Sequence, residues 1–400
     1  MSAATQMQAQ LAELRKRIAK IDRKYEAPPP SRTFRLGQEV ATRAGSHWEM
    51  EQLYESHGSM ETWRLADLPP ALLGPISSGQ IGDVPPERWA FLDTETTGLA
   101  GGTGTVAFLV GVGRITRDGL VVRQYFMRDF AEEASALTAL ADHLAEFDVM
   151  ITYNGKAFDQ PLLETRYRMT RSRPPFGRVE HLDLLFGARR LWKMRFESCR
   201  LVELENRILG YTRVGDVAGD LIPLLYFQYL KTQKAGPLEP VFEHNRLDIV
   251  SLACLTAIVS RAFDQPHHTE LGSGFELIGL GRWMIANERH DDGLTLMRRG
   301  IEKNIPDELL FKTLWEIALA EKKLGRGPGG FAELAHSRNP YRAAALEELA
   351  KHYEHREKNL AMALVFVEQA LSLGRTEELL KRYQRLERKA AAPKNRRLIP

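Results

Sequence analysis

The feature that most constrains the fold is an apolar run that ends abruptly in acidic residues. Residues 89–92 are typical of a buried strand, and Asp93 and Glu95 follow directly. Because successive strand residues face opposite sides, Asp93 and Glu95 should emerge on one side and Thr94 on the other. Two carboxylates at a strand's end suit a hard cation such as Mg²⁺ or Mn²⁺. An isolated Asp-x-Glu is more often an ordinary strand end, so the interpretation depends on further acids.

The composition limits the class of protein. Four hundred residues, 44% hydrophobic and 27% charged, indicate a globular protein of two or three domains. No apolar run reaches 18 residues and no signal peptide is evident, so we expect a cytoplasmic protein without a membrane partner. With only Cys199 and Cys254, we expect neither a disulfide framework nor a structural zinc site. The net charge of +3 is too small to identify a partner.

The residues after the acidic strand end predict an α/β core. Residues 106–112 and 120–126 should form strands, followed by a helix from Ala131 and a short strand at 149–153. This order of elements indicates a mixed sheet flanked by helices. The glycine cluster at 101–104 predicts a hairpin turn. The alternative, a phosphate-binding loop, lacks the Lys-Ser/Thr ending of a P-loop.

Two more acids occur at points where chemistry is expected. Asp159 follows the turn Asn154-Gly155 at a strand-to-helix junction, where it could equally be a helix cap. His244 and Asp248 are four residues apart, so they share one face of a helix. Taken alone, this pair would be an ordinary helix-start histidine and a surface acid.

Residues 166–200 are strongly basic and contain interleaved aromatic residues. Guanidinium groups bind phosphate and aromatic rings stack on bases, so this tract predicts a nucleic-acid surface, with a solvated helix face as the alternative. The candidate nucleic-acid-binding residues are Asn154, Arg166, Arg171, Arg173, Arg189, Arg190 and Lys193.

The remaining segments predict further organisation. Residues 1–27 carry a coiled-coil-type apolar seam that could dimerise or dock on its own chain, and residues 28–87 should be a linker with short elements. Residues 274–386 have helical spacings that resemble tetratricopeptide-like repeats, which would bind a protein partner or merely cap the core. Residues 387–400 form a basic, disordered tail that could add nonspecific phosphate affinity.

Together the acids resemble those of the DEDD exonucleases in the ribonuclease H-like superfamily. Residues 93–98 resemble the first exonuclease motif, residues 154–161 the second and residues 244–248 the third. Within the superfamily, the chain resembles the bacterial YprB-like group, in which such a domain carries C-terminal helical repeats. The resemblance implies a ribonuclease H-like exonuclease domain over residues 88–265, followed by an all-α repeat domain.

The resemblance also implies a reaction, namely 3′-to-5′ hydrolysis of DNA or RNA with two divalent metal ions. Asp93 would bridge both ions, Glu95 and Asp159 would complete the shell partly through water, and Asp248 would hold the more labile ion. His244 is the candidate general base, because its unperturbed pKa lies near neutrality. It has the spacing of the tyrosine subclass rather than that of the histidine subclass, which leaves the base open. Asp183, between the motifs, could be a cap or a substrate contact.

Two other functions compete with this prediction. A catalytically weak nuclease-like domain could bind nucleic acid or act as a scaffold through its repeats. A structure-specific endonuclease would share the metal chemistry without needing a free end. The sequence contains no base-reading motif, so DNA and RNA are equally compatible with it.

Overall fold

The computed structural model describes residues 34, 36–98, 104–268 and 271–391, together with Lys16 alone. The coiled-coil-type segment predicted at 1–27, most of the glycine turn at 101–104 and the tail from 392 therefore lie outside the described residues.

A mixed sheet of seven strands forms the centre of the fold, in the order β1-β2-β7-β6-β5-β8-β9. Neighbouring strands from β1 to β5 are antiparallel, and β5 pairs parallel with β8. A separate small sheet pairs β3 with β4. In chain order, β1 to β9 are Gln38–Thr42, Gly45–Tyr54, Ser56–His57, Met60–Glu61, Trp89–Thr96, Ala107–Thr116, Gly119–Phe126, Val149–Thr152 and Glu180–Asp183.

Helices flank the sheet and then continue alone to the end of the described chain. In chain order, α1 to α7 are Leu73–Ile76, Glu133–Leu144, Asp159–Met169, Leu184–Trp192, Leu201–Leu204, Ile222–Thr232 and Glu239–Asp264. A π-helix, Glu205–Leu209, follows α5. Helices α8 to α14 are Gly274–Ala286, His290–Ile301, Asp307–Lys323, Gly329–His336, Arg342–His355, Leu360–Leu373 and Glu377–Ala391. The predicted fold class, a mixed α/β sheet followed by an all-helical region, is confirmed.

Residues 28–87 contain more regular structure than we expected. We predicted a linker with short elements, but β1 and β2 extend the central sheet, and β2 pairs with β7 from Trp48 to Tyr54. The apolar period of β2 is broken because His47, a fully buried residue of this strand, is polar. Its Nδ1 lies 2.9 Å from the hydroxyl of Ser135, which satisfies the ring inside the protein. A buried polar residue of this kind interrupts the alternating apolar pattern from which a strand is predicted.

The chain divides into two compact units. The first comprises Met1–Asp67, Pro86–Leu182 and Glu205–Cys254, and the second comprises Leu68–Pro85, Asp183–Leu204 and Leu255–Pro400. The core of the first unit is built on apolar residues of β5, β6 and β7 and of the helices beside them. The domain boundaries at residues 88, 265, 274 and 386 stay predictions.

Successive helices pack against one another in the second unit. At the crossing of α8 and α9, a Cβ on Gly281 would lie 2.7 Å from the carbonyl oxygen of Gly293, and a Cβ on Gly293 would lie 2.6 Å from that of Gly281. Only glycine permits so close an approach. The helical region is thus confirmed, whereas its assignment to tetratricopeptide-like repeats stays a prediction. No helix in the described parts of the chain is both long enough and apolar enough to cross a bilayer.

Candidate active site

Strand β5 carries the first two acids of the site. It is buried from Trp89 to Leu92, after which Asp93 is half-buried and Glu95 is 8% exposed. On one side, Asp93 is opposite Gly111 of β6, and the pairing with β6 becomes irregular between Glu95 and Thr96. On the other side, the parallel pairing with β8 ends at Phe91. The two carboxylates therefore lie where the regular sheet ends, as the strand pattern predicted.

A buried chain of polar side chains holds the Asp93 carboxylate. The amide of Asn245, on α7, donates to Oδ2 of Asp93 at 2.8 Å and to its carbonyl oxygen at 3.3 Å. Gln124 donates to Oδ1 of Asn245 at 2.8 Å, and Arg246 donates to Oε1 of Gln124 at 3.0 Å. These bonds fix which end of the Asn245 amide faces the acid. Asp93 is thus oriented from the opposite element before any ligand binds.

Gly111 makes this arrangement sterically possible. A Cβ at this position would lie 2.3 Å from Oδ1 of Asn245 and 2.3 Å from Cδ1 of Ile249. The glycine opposite Asp93 in the sheet therefore leaves the space that Asn245 fills. Sequence analysis assigned no role to Gly111, Gln124 or Asn245, although Asn245 lies inside the third motif.

Asp159 is the first residue of helix α3 and is buried. The hydroxyl of Thr94 donates to Oδ1 of Asp159 at 2.5 Å. Strand alternation predicted Thr94 on the face away from Asp93 and Glu95, yet its hydroxyl reaches an acid of the same site. Phe158, in the N-cap position, is 57% exposed.

The turn before Asp159 is built around Thr152 and Asn154. Asn154 has a positive φ of 68°, and the next amide, that of Gly155, donates to the hydroxyl of Thr152 at 3.2 Å. His181 contacts the same hydroxyl at 2.8 Å, and burial, with Lys156 nearby, lowers the pKa of His181 to about 4. Asn154 therefore shapes the turn, as its Asn-Gly sequence indicated; its proposed contact with nucleic acid stays a prediction.

The third motif lies on helix α7. Nε2 of His244 is 3.6 Å from Oδ2 of Asp248, so the two share one helix face as predicted. Nδ1 of His244 is 2.8 Å from Oδ1 of Asp216. Asp248 is also paired with Arg213, whose Nη2 is 2.5 Å from Oδ1. Sequence analysis did not identify Arg213, since it lies in a loop without periodicity.

The pKa shifts of two acids show that the predicted acids lie close enough to repel one another. Burial raises the pKa of Asp93 well above its ordinary value, and the charges of Asp248 and Asp159 raise it further. Burial likewise raises the pKa of Glu95, with additional contributions from Asp93, Asp248 and Asp159. The four predicted acids thus form one electrostatic cluster, called the acid cluster below.

The acid cluster fits a divalent cation in chemistry, but its side chains do not converge on one. Hard cations prefer carboxylate oxygens, and a cation would relieve the repulsion that raises the pKa values of Asp93 and Glu95. Within the described residues, however, no three Asp, Glu, His or Cys side chains are grouped so that they could hold a metal ion. The acids of the cluster instead accept hydrogen bonds from protein donors, as Asp93 does from Asn245 and Asp248 from Arg213.

The predicted basic residues divide into structural and exposed ones. Arg166 is buried, and its Nε and Nη2 donate to the two carboxylate oxygens of Glu133 at 2.5 and 2.7 Å. Its proposed role in binding nucleic acid is therefore corrected to that of a buried ion pair within the first unit. Arg171 and Arg173 are exposed in the same unit.

The other basic candidates belong to the second unit. Arg189, Arg190 and Lys193 are exposed at the end of α4, and the guanidinium of Arg190 lies 5.1 Å from the ring centre of Trp283. Two of the interleaved aromatics, Phe176 and Trp192, are buried in the first and second units respectively and cannot stack on bases. Asp183 caps α4 by accepting from the amide of Leu185 at 3.1 Å, which supports its interpretation as a cap.

Comparison with known proteins identifies the family. Residues 90–260 match the model of an RNase H superfamily family, RNase_H_2. The chain is 36% identical over 315 residues to the protein YprB of Bacillus subtilis (strain 168), a match that covers 75% of this chain and 74% of YprB. The chain belongs to the YprB family within the RNase H superfamily. The name of that relative, "Uncharacterized protein YprB", states no activity, so the similarity shows the family and not the reaction.

One solved structure is also similar in part. The family B DNA polymerase of the archaeon Pyrobaculum calidifontis aligns with a TM-score of 0.36 and 17% identity over 62% of this chain. The alignment spans 34% of the polymerase chain. A score this low does not establish a common fold, so the family assignment depends on YprB and the RNase H match.

Proposed function

We propose that this protein is a metal-dependent nuclease that hydrolyses phosphodiester bonds of DNA or RNA, acting as a DEDD-type 3′-to-5′ exonuclease. The observation that carries the proposal is the acid cluster, because the charges of Asp159 and Asp248 help raise the pKa values of Asp93 and Glu95 in an RNase H superfamily domain. Keeping four carboxylates together is unfavourable unless a cation or a proton offsets their charge. The order of the three motifs along the chain agrees with an exonuclease.

The proposed cofactor is Mg²⁺ or Mn²⁺. Asp93, Glu95 and Asp159 would hold an ion, provided that their side chains turn toward a common point. When bound, such an ion supplies positive charge to the phosphate and makes water easier to deprotonate. The resemblance implies a second ion held by Asp248. That carboxylate is already paired with Arg213, and the pairing affects how many ions can bind.

His244 is proposed to take the proton from the attacking water. Its Nδ1 contacts a carboxylate oxygen of Asp216 at 2.8 Å, closer than its 3.4 Å contact with Nη1 of Arg213, so the ring proton of the neutral form is assigned to Nδ1. Nε2, which faces Asp248 at 3.6 Å, is then the nitrogen able to accept a proton. Asn245 orients Asp93, and Thr94 orients Asp159. Asn245 and Thr94 are therefore positioning residues rather than catalytic ones.

The proposed substrate is a strand with a free 3′ end. Phe158, exposed beside Asp159, offers a ring on which a base can stack, and Lys156 is exposed two residues before it. Arg171 and Arg173 would contact phosphates in the first unit, as would Arg189, Arg190 and Lys193 in the second. The helical repeats are proposed to bind a protein partner.

A second candidate function is a catalytically weak domain that binds nucleic acid. One observation favours it, namely that Asp248 already has a counterion in Arg213. A carboxylate paired in this way need not take up a metal ion.

The test is degradation of single-stranded DNA and RNA labelled at the 5′ end, with Mn²⁺ or Mg²⁺ and with circular strands as the comparison. The proposal predicts stepwise shortening of linear strands from the 3′ end and no cleavage of circles. Cleavage of circles would identify an endonuclease. Binding without cleavage of either polymer would favour the second candidate function.

A further inference from the structure

A buried cation already lies beside the acid cluster. The guanidinium of Arg213 is 2.5 Å from Asp248, 2.6 Å from Glu205 and 3.3 Å from Asp216, and its side chain is only 4% exposed. Three carboxylates, one each from the π-helix, a loop and helix α7, thus converge on a single positive group. Buried carboxylates need a counterion, and Arg213 is that counterion here.

Arg213 is anchored by a residue outside the exonuclease motifs. Its Nε and Nη2 both donate to Oε2 of Glu205, at 2.9 and 2.6 Å. Glu205 is 1% exposed, and its other oxygen lies 3.4 Å from Nε2 of His57. His57 in turn contacts the hydroxyl of Ser251 at 2.8 Å. The guanidinium is therefore held from behind by a buried network that does not depend on Asp248.

This anchoring indicates a permanent position for Arg213. If the guanidinium moved away from Asp248 to admit a metal ion, it would also have to break its two hydrogen bonds to the buried Glu205, which is unfavourable. The guanidinium also stays charged at ordinary pH, so loss of a proton cannot release Arg213 from these carboxylates. A metal ion bound to Asp248 would therefore lie next to the fixed positive charge of Arg213, and the two positive charges would repel each other.

We propose that Arg213 occupies the position of the second metal ion, so that the protein binds one divalent ion, at Asp93, Glu95 and Asp159. Arg213 supplies the fixed positive charge beside Asp248 that the second ion would otherwise supply. This inference rests on the proposed function and replaces the expectation of two ions that the resemblance implied.

The test is the number of Mn²⁺ ions bound to the metal-free full-length protein, measured by isothermal titration calorimetry and by electron paramagnetic resonance without nucleic acid. We expect one ion for the unaltered protein and for Arg213→Lys, which keeps a positive charge. Arg213→Gln should bind two, because it frees Glu205, Asp216 and Asp248 for a second ion. Circular dichroism and thermal unfolding establish that each variant is folded. If Arg213→Gln does not fold, the double variant Arg213→Gln/Glu205→Gln replaces it, because it leaves no unpaired buried acid at the anchor and still frees Asp216 and Asp248 for the second ion.

The outcomes separate the two proposals. Two ions in the unaltered protein, with the spectrum of a spin-coupled pair, would overturn the inference and leave the nuclease proposal standing. One ion in both the unaltered protein and Arg213→Gln would also overturn it, because Arg213 would then not be what excludes the second ion. No ion bound to the folded, unaltered protein would contradict the metal dependence itself and the inference with it.

Discussion

The side-chain amide of Asn245 donates a 2.8 Å hydrogen bond to the carboxylate of Asp93. The two residues are 152 positions apart in the chain, one on helix α7 and the other on strand β5. The bond is supported by Gln124 and Arg246 behind it, and it requires glycine at position 111. The carboxylate most central to the proposed chemistry is thus oriented by hydrogen bonds from within the protein.

Replacing Gly111 with alanine should disturb this bond. The new methyl group would lie 2.3 Å from both the Asn245 amide and Ile249, so one of them must move. Overpacking of this kind costs about 1–3 kcal/mol of unfolding free energy, and loss of an orienting partner lowers activity about 10- to 100-fold. Gly177→Ala is the matched control, since a Cβ there meets nothing within 4 Å. Equal nuclease activity and unfolding midpoint for the two variants would show that the packing against Asn245 is unimportant.

Asp93→Asn should stabilise the metal-free protein increasingly as pH rises. Burial and the charges of Asp248 and Asp159 raise the pKa of Asp93 in the folded state. The folded acid therefore holds its proton more tightly than the unfolded one, and stability is lost as pH rises above the unfolded pKa of about 4. Asparagine does not ionise, so the variant does not lose stability in this way. Thermal unfolding in EDTA from pH 4 to pH 8 should show a widening advantage for the variant.

Addition of Mn²⁺ should reverse that order. The ion should stabilise the unaltered protein more than Asp93→Asn, because the variant has lost one carboxylate ligand. A variant that unfolds at a lower temperature than the unaltered protein in EDTA at pH 8 would refute the repulsion described for the acid cluster.

Arg166 and Arg171 should respond differently to alanine substitution. Arg166 forms a buried two-pronged pair with Glu133, so Arg166→Ala leaves an uncompensated buried carboxylate and should cost about 3–5 kcal/mol. Arg171 is exposed, so Arg171→Ala should change stability by less than about 0.5 kcal/mol while weakening nucleic-acid binding. Urea unfolding and a filter-binding assay distinguish the effects. An unchanged unfolding midpoint for Arg166→Ala would mean that the pair contributes no stability.

The part of the site that sequence could predict is the part set by local periodicity and motif order. Strand alternation placed Asp93 and Glu95 at a strand's end, and helical spacing placed His244 beside Asp248. In the structure the charges of Asp248 and Asp159 act on Asp93 and Glu95, while the catalytic roles of all four acids stay predictions. Arg166 was misinterpreted because a charged residue in a basic tract gives no local sign of burial; its partner, Glu133, is 33 residues away.

The residues that the sequence did not reveal are those fixed by distant contacts. Arg213 reaches Asp248 across 35 positions from a loop with no periodic pattern. Asn245 stands within a motif, but nothing local shows that its partner is Asp93. Strand β2 was missed for a related reason, since its buried His47 is satisfied by Ser135, 88 residues further along.

In the helical unit, Glu354→Gln should be destabilising in a pH-dependent way. Glu354 is 1% exposed; burial alone would raise its pKa, but hydrogen bonds from Arg385 and Lys389 lower it to about 2. Loss of these charged hydrogen bonds should cost about 1.5–3 kcal/mol at neutral pH. The difference between the two proteins should be complete above about pH 4.3 and should shrink as pH falls toward 2. A difference independent of pH in urea unfolding would exclude this ionic origin.

The most direct test of the central claim is metal-dependent hydrolysis by four variants, each of which replaces one acid of the acid cluster with the corresponding amide. Asp93→Asn, Glu95→Gln, Asp159→Asn and Asp248→Asn keep the shape of each side chain and remove its charge. Asp118→Asn, at an exposed turn between β6 and β7, is the control. With a labelled single strand and Mn²⁺, we expect the unaltered protein and Asp118→Asn to release nucleotides and each of the four acid variants to be inactive. Full activity in any one of the four, or equal activity in EDTA, would contradict the account.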